Sequence, residues 1–275
     1  MIQTDNWLQN YVANKTDKIH ENVVVHMDTL CEPLVSYFTD TDAQTIQWHL
    51  LQHGLFFPDP HDKQIILTMI KRNYWRKVEE QFASLKLKWK GPEVPVLLFP
   101  SDFTNNRLQE EFSGLSGLSY PDKVFLFITD DTPLKKLEAL LTHEYSHVYR
   151  LQYNHSKDKT LTLSDAIVLE GIAEIAVKKI VGNTYLSKAG SLHTKEEAQF
   201  YWNEWIKPNQ HLVKTNAQHD RLMYGGEEIP KWAGYNVGFH LVENYMEINK
   251  ISLLELLQTP TDTIIEKSGF PQNVR

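Results

Sequence analysis

The chain has 275 residues, 28 Lys and Arg against 35 Asp and Glu, a net charge of −7, and one cysteine, Cys31. That length can bury a sizeable core, as one large domain or two modest ones. The interspersed acidic balance argues against a nucleic-acid surface, a lone cysteine excludes an internal disulfide framework, and no stretch approaches the ~20 apolar residues of a membrane span.

The start, Met1-Ile2-Gln3-Thr4-Asp5-Asn6-Trp7, lacks the basic region and apolar run of a signal peptide. With the single cysteine, this makes the cytoplasm the expected location. Residues 1–88 read as a helical N-terminal region. Apolar residues keep 3.6-type spacing over 43–55 and 61–85, interrupted by Gly54 and by Pro58-Asp59-Pro60. Trp48, Phe56, Phe57, Tyr74, Trp75 and Phe82 are expected in the core, and His49, His53 and His61 as surface or satisfied polar residues.

Lys90-Gly91-Pro92 marks a boundary, and residues 89–275 read as a second, α+β part. Short apolar, β-branched and aromatic runs at 94–99 and 123–128 predict strands, with 114–119 a loop or a glycine-loosened strand between them. Pro95 implies that its strand has an unpaired side.

The next element carries the chemistry. A helix entered through Asp131-Thr132-Pro133 keeps apolar positions at 134, 137, 140, 141, 145, 148 and 151, and so runs through His143-Glu144-Tyr145-Ser146-His147. Residues i and i+4 share a face, so both imidazoles can bind one metal ion, while Glu144 stands beside the pair where a general base for an activated water belongs. Catalytic zinc needs a third protein ligand and an open position. Glu170 offers that ligand, 23 residues beyond His147, in Glu170-Gly171-Ile172-Ala173-Glu174. It lies in a very apolar segment expected to be a buried helix capped by Ser164 and stopped by Gly182. Two carboxylates on one face of such a helix are costly unless bound to an ion or hydrogen-bonded. Glu174, one turn on from Glu170, can accept from the second nitrogen of a metal-binding histidine. The bland alternative is that both carboxylates face solvent and pair with Lys178 or Lys179.

A HExxH helix followed by a glutamate helix is similar to the gluzincin metallopeptidases. The strings from His143 to Leu151 and from Leu169 to Glu174, with Gly234-Tyr235-Asn236-Val237-Gly238 later, resemble the YjaZ-type family of predicted bacterial zinc-dependent proteases. The likeness spans roughly residues 90–258 and implies a zincin-like fold, bound Zn²⁺ and hydrolysis more firmly than any substrate. It also implies that one strand offers an edge to an extended peptide. The metzincin pattern would need Gly at 150 and His at 153, where this chain has Arg150 and Tyr153.

Beyond Gly182 further helices are expected. Residues 194–206, with Phe200, Tyr201, Trp202 and Trp205, read as a packing face, 216–230 as a polar loop that could cover the cleft, and 235–248 as a helix. Enzymes of this kind often use a Tyr or His to stabilise the oxyanion. Tyr235, at the helix start, is the first choice, with Tyr224 and His240 behind it. The expectation is therefore an α+β, zincin-like metallopeptidase with a small mixed sheet. His143, His147 and Glu170 are its Zn²⁺ ligands, Glu144 its base, Tyr235 its oxyanion donor and Glu174 a support. The partner is a peptide or protein substrate, with no nucleic acid and no membrane. The rivals are a non-hydrolytic zinc-binding regulatory protein and a hydrolase of non-peptide amides.

Overall fold

The computed structural model describes residues 1–153 and 161–270. The chain divides into two compact units, Met1–Leu141 and Thr142–Arg275.

The first unit opens with α1 (Thr4–Asn14) and α2 (Ile19–His26), which runs on through a π turn at Met27–Cys31 and a 3₁₀ turn at Glu32–Tyr37. Then come α3 (Ala43–Gln52), α4 (Asp62–Arg72) and α5 (Tyr74–Trp89). The single helix expected over 61–85 is two helices, because Asn73 adopts the left-handed conformation (φ 56°) that breaks the ladder. Asparagine tolerates that region better than most residues, so the break needs no glycine. Phe56, Tyr74, Trp75 and Phe82 are buried as expected, but Trp48 and Phe57 are 64% and 44% exposed. Trp48 lies among the exposed positions of α3, whose buried ones are Ala43, Ile46, Gln47 and Leu50.

After the Lys90-Gly91 turn the chain forms β1 (Val96–Pro100), α6 (Asn106–Phe112), β2 (Ser116–Tyr120) and β3 (Lys123–Ile128). The strand order is β1-β3-β2, with β1 parallel and β2 antiparallel to β3. Central β3 is wholly buried, as its unbroken apolar run requires, and the glycine-loosened segment is a true strand, β2, half-buried at an edge. On the other edge the Ile2 N–H donates to the Val96 carbonyl at 2.9 Å, so the N-terminal segment covers the outer side of β1 beyond Pro95. Residues 134–153 form α7 (Leu134–Tyr153), which runs through the division between the units.

The second unit is helical: the rest of α7, α8 (Leu163–Ile180), α9 (Lys195–Tyr201) continued by a π turn at Trp202–Ile206, α10 (Ala217–Tyr224), α11 (Ala233–Asn249), α12 (Leu253–Gln258) and α13 (Thr261–Lys267). Thr162 rather than Ser164 caps α8, because its hydroxyl meets the Asp165 N–H while the Asp165 carboxylate returns to the Thr162 N–H. The polar loop expected at 216–230 contains α10, capped by Asn216 and seated on buried His219, Leu222 and Met223. Only its far end, Gly225 to Trp232, is a turn.

At the centre of this unit α8 and α11 cross with their backbones in contact. A Cβ on Gly171 would lie 2.2 Å from the Gly238 carbonyl oxygen, and one on Gly238 would lie 2.2 Å from that of Ile167. No larger residue fits either position, so the Glu-Gly-x-x-Glu and Gly-Tyr-x-x-Gly segments meet at this crossing. Arg150, buried one turn past His147, donates to the carbonyls of Leu257 and Thr259 at 3.2 and 2.9 Å. It thereby serves the end of α12, where backbone acceptors have no helical partner. Among the described residues no helix is long and apolar enough to cross a membrane.

Candidate metal centre

The apolar face of α7 (Leu137, Leu141, Tyr145, Val148 and Leu151, all buried) fixes the roll of the helix. His143 and His147 then share one side, with ring centroids 4.6 Å apart and planes at 85°. From α8, Glu170 faces both. Its Oε2 lies 3.2 Å from His143 Nε2 and its Oε1 lies 3.6 Å from His147 Nε2. These three residues offer ligand atoms within 4.8 Å of one another, and the group could hold a metal ion.

The donor set fits zinc. Two imidazole nitrogens and a carboxylate oxygen are ordinary zinc ligands, and a tetrahedron with arms near 2.05 Å has edges of about 3.3 Å, close to the two spacings between Glu170 and the imidazoles. A second observation agrees. His143 Nδ1 lies 3.2 Å from Oε1 of Glu174, which directs its other nitrogen, Nε2, into the cluster. Glu174 is buried and does not pair with Lys178, which binds Glu243 instead. Its second oxygen accepts from the Ser187 N–H at 2.9 Å, and Gly190 packs against the same carboxylate.

Burial and charge favour ligating forms at two of the three positions. Burial pushes His147 down to about 4, with Glu170 opposing and His143, Lys214 and Arg150 adding to the effect. Burial resists ionisation of Glu170, but the interactions with His147, His143 and Lys214 outweigh it and hold its carboxyl below the usual range. At His143 burial also disfavours charge, yet the carboxylates of Glu170 and Glu174 outweigh it and hold the imidazole well above its ordinary value. A divalent cation would take the place of that proton.

Glu144, next to His143 on α7, is buried, and its negative charge adds to the upward shifts of His143 and Tyr235. Tyr235 stands in the first turn of α11, half-buried. Burial and the Glu170 charge push its phenol well above 10, which keeps the hydroxyl protonated. Its ring lies 5.7 Å from that of Tyr224 and 5.2 Å from that of Trp232. His240, the third candidate for an oxyanion donor, is engaged elsewhere, with Nε2 3.0 Å from the His193 carbonyl.

Three participants escape the sequence reading. Lys214 acts electrostatically on Glu170, His147 and Tyr224. Ser187 contributes only a backbone N–H, which no residue type advertises, and Gly190 only the absence of a side chain. None lies in a motif.

Comparison with known proteins gives a consistent family. The profile of the family described as "Predicted Zn-dependent protease (DUF2268)" matches residues 74–266. The chain is 31% identical over 264 residues to the uncharacterized protein YjaZ of Bacillus subtilis (strain 168), covering 96% of this chain and 97% of that one. It is 24% identical over 199 residues to the uncharacterized protein YjfC of the same organism, covering 67% of this chain and 64% of the other. No solved structure matches it significantly.

Proposed function

Since the chain belongs to the family of predicted Zn-dependent proteases, we propose that it is a zinc metallopeptidase that hydrolyses peptide bonds from a gluzincin-like site. The observation that carries this reading is the convergence of His143 Nε2, His147 Nε2 and the Glu170 carboxylate, with His143 oriented from behind by Glu174. In this reading the three residues hold Zn²⁺, within a zincin-like domain over residues 89–275 that follows a helical region over 1–88. The protein acts in the cytoplasm on peptides or proteins.

Zinc, when bound, supplies Lewis acidity at the reacting carbonyl and water. The Glu144 carboxylate, adjacent to a ligand but turned away from it along the helix, takes the proton from that water and returns it to the leaving amine nitrogen. The Tyr235 hydroxyl, kept protonated by its surroundings, donates a hydrogen bond to the carbonyl oxygen as it gains negative charge. Glu174 holds His143 in the orientation and tautomer that present Nε2.

The test is to measure zinc per chain, then cleavage of casein and of a peptide library with and without chelator. Wild type should carry about one zinc and lose cleavage with the metal. Glu144→Gln keeps the size and removes the basic oxygen, so turnover should fall by ~10²–10⁴-fold while zinc content and melting temperature stay near wild type. Wild-type turnover by zinc-loaded Glu144→Gln would overturn the mechanism. Zinc binding without any cleavage would leave a zinc-binding protein rather than a peptidase.

A further inference from the structure

Asn236 follows Tyr235 on α11, and the helical turn between them aims the two side chains in different directions. Tyr235 borders the candidate metal centre. Asn236 is fully buried and grips the segment that connects α8 to α9. Its Nδ2 donates to the Ala189 carbonyl and, at 3.1 Å, to that of Trp232, while its Oδ1 accepts from the His193 N–H at 2.9 Å. Both donor hydrogens and one lone pair of the acceptor oxygen are thus used, three of the four hydrogen bonds an amide side chain can make.

The clamped segment is the one that meets Glu174. The Ser187 N–H reaches Glu174 Oε2 at 2.9 Å, and a Cβ on Gly190 would stand 3.0 Å from Glu174 Cγ. Inside the segment the Gly190 N–H donates to Ser187 Oγ at 3.1 Å and Ser191 Oγ to the Ser187 carbonyl at 3.0 Å, so displacement at Ala189 is passed to Ser187. The other oxygen of the same carboxylate sits 3.2 Å from His143 Nδ1.

We propose that Asn236 is a positioning residue for the metal centre: by closing the Ser187–His193 segment onto Glu174, it fixes the carboxylate that orients His143. It acts through the chain Asn236, Ala189, Ser187, Glu174, His143, and touches neither the metal nor the substrate. The proposal rests on His143 being a zinc ligand. It assigns the Gly-Tyr-Asn-Val-Gly stretch a double role, with Tyr235 serving one side of α11 and Asn236 the other.

The experiment reads metal rather than turnover. Zn²⁺ affinity is measured by competition with a chelator, and the visible spectrum is recorded with Co²⁺ in place of zinc, for wild type, Asn236→Ala, Glu174→Ala and the double variant. Asn236→Ala should weaken zinc binding by ~10-fold or more, in the range of other changes behind a ligand, and should alter the cobalt spectrum. In the Glu174→Ala background the same substitution should have little further effect, because the route to His143 is already cut. Effects that simply multiply, or an Asn236→Ala protein with wild-type affinity and spectrum, would overturn the proposal. Gly190→Ala covers the case in which Asn236→Ala fails to fold. It leaves Asn236 in place and presses a methyl group on the Glu174 carboxylate, and an unchanged cobalt spectrum there would also overturn it. If wild type binds neither zinc nor cobalt, the peptidase reading fails first. If wild type binds both and Asn236 proves silent, only the positioning role falls.

Discussion

Both units of this molecule bury ionisable side chains, and they do so on opposite plans. In the first unit Tyr11 donates to Asp62 Oδ2 at 2.6 Å, Lys15 is ion-paired with Oδ1, and the Asp59 N–H reaches Oδ2 at 3.1 Å. In the same unit Trp75 Nε1 donates to Thr4 Oγ1 at 2.8 Å, and Thr4 donates in turn to the Leu98 carbonyl at 2.5 Å. Within these contacts each donor meets an acceptor, and the groups are consumed by one another. In the second unit two imidazole nitrogens and a carboxylate point at common ground, where one cation could engage all three by displacing the proton that the carboxylates hold on His143. Complementary pairing makes architecture. Convergence of metal-ligating groups makes a candidate site, and burial alone does not tell the two apart.

The contrast can be broken by four tests, ordered from the largest effect to the smallest. Asp62→Ala strands Lys15 and Tyr11 in the interior and should cost ~3–5 kcal/mol in urea denaturation, with zinc per folded chain unchanged. Loss of zinc at full stability would show that the two clusters are not separable. Tyr235→Phe should lower kcat by ~10²–10³-fold at constant zinc content, if the hydroxyl is one oxyanion donor. Metal analysis alongside the assay distinguishes this from a ligand effect. Glu174→Ala should weaken zinc binding by ~10–100-fold and Glu170→Ala by more, both read by chelator competition, since one residue acts behind a ligand and the other is a ligand. A Glu170→Ala protein that holds zinc as tightly as wild type would put the third ligand elsewhere.

The last test concerns His26, buried against Tyr11 and Phe56 with Nδ1 3.0 Å from Gln47 Nε2. Burial pushes it down to about 3, with a weak opposing contribution from the Phe56 backbone. The folded state therefore refuses a proton that the unfolded chain accepts near pH 6.5. Stability is intact above that pH and falls as pH drops toward 3, by about 1.4 kcal/mol per pH unit from this one group. Urea midpoints at pH 7 and pH 5 should separate less for His26→Phe than for wild type. Equal separations would mean that His26 does not carry the slope.

The candidate site was legible in the sequence to the extent that its chemistry is local. His143, Glu144 and His147 lie within five residues on a helix whose apolar stripe announces itself, and Glu170 and Glu174 are acids in a helix too apolar to leave them idle. Choices between near-equals were not legible. Thr162 and Ser164 are both good caps, and Asp165 decides between them by closing the box on Thr162. Asn73 breaks a helix that its neighbours would continue. Groups that act across the fold left least trace: Lys214 bears electrostatically on Glu170 from 44 residues beyond it, and Ser187 meets Glu174 with an atom every residue has.

The crossing of α8 and α11 has a consequence for how the site withstands change. Where side chains separate two helices, the spacing follows their rotamers and drifts when they are replaced. Here main chain rests on main chain at Gly171 and Gly238, so the separation of the helix that carries Glu170 from the helix that carries Tyr235 is gauged by peptide groups whose dimensions are fixed. The remaining residues along α8 and α11 are thereby released from that duty. They can be exchanged for others of similar volume without re-registering the site, whereas one methyl group at either glycine must move a whole helix.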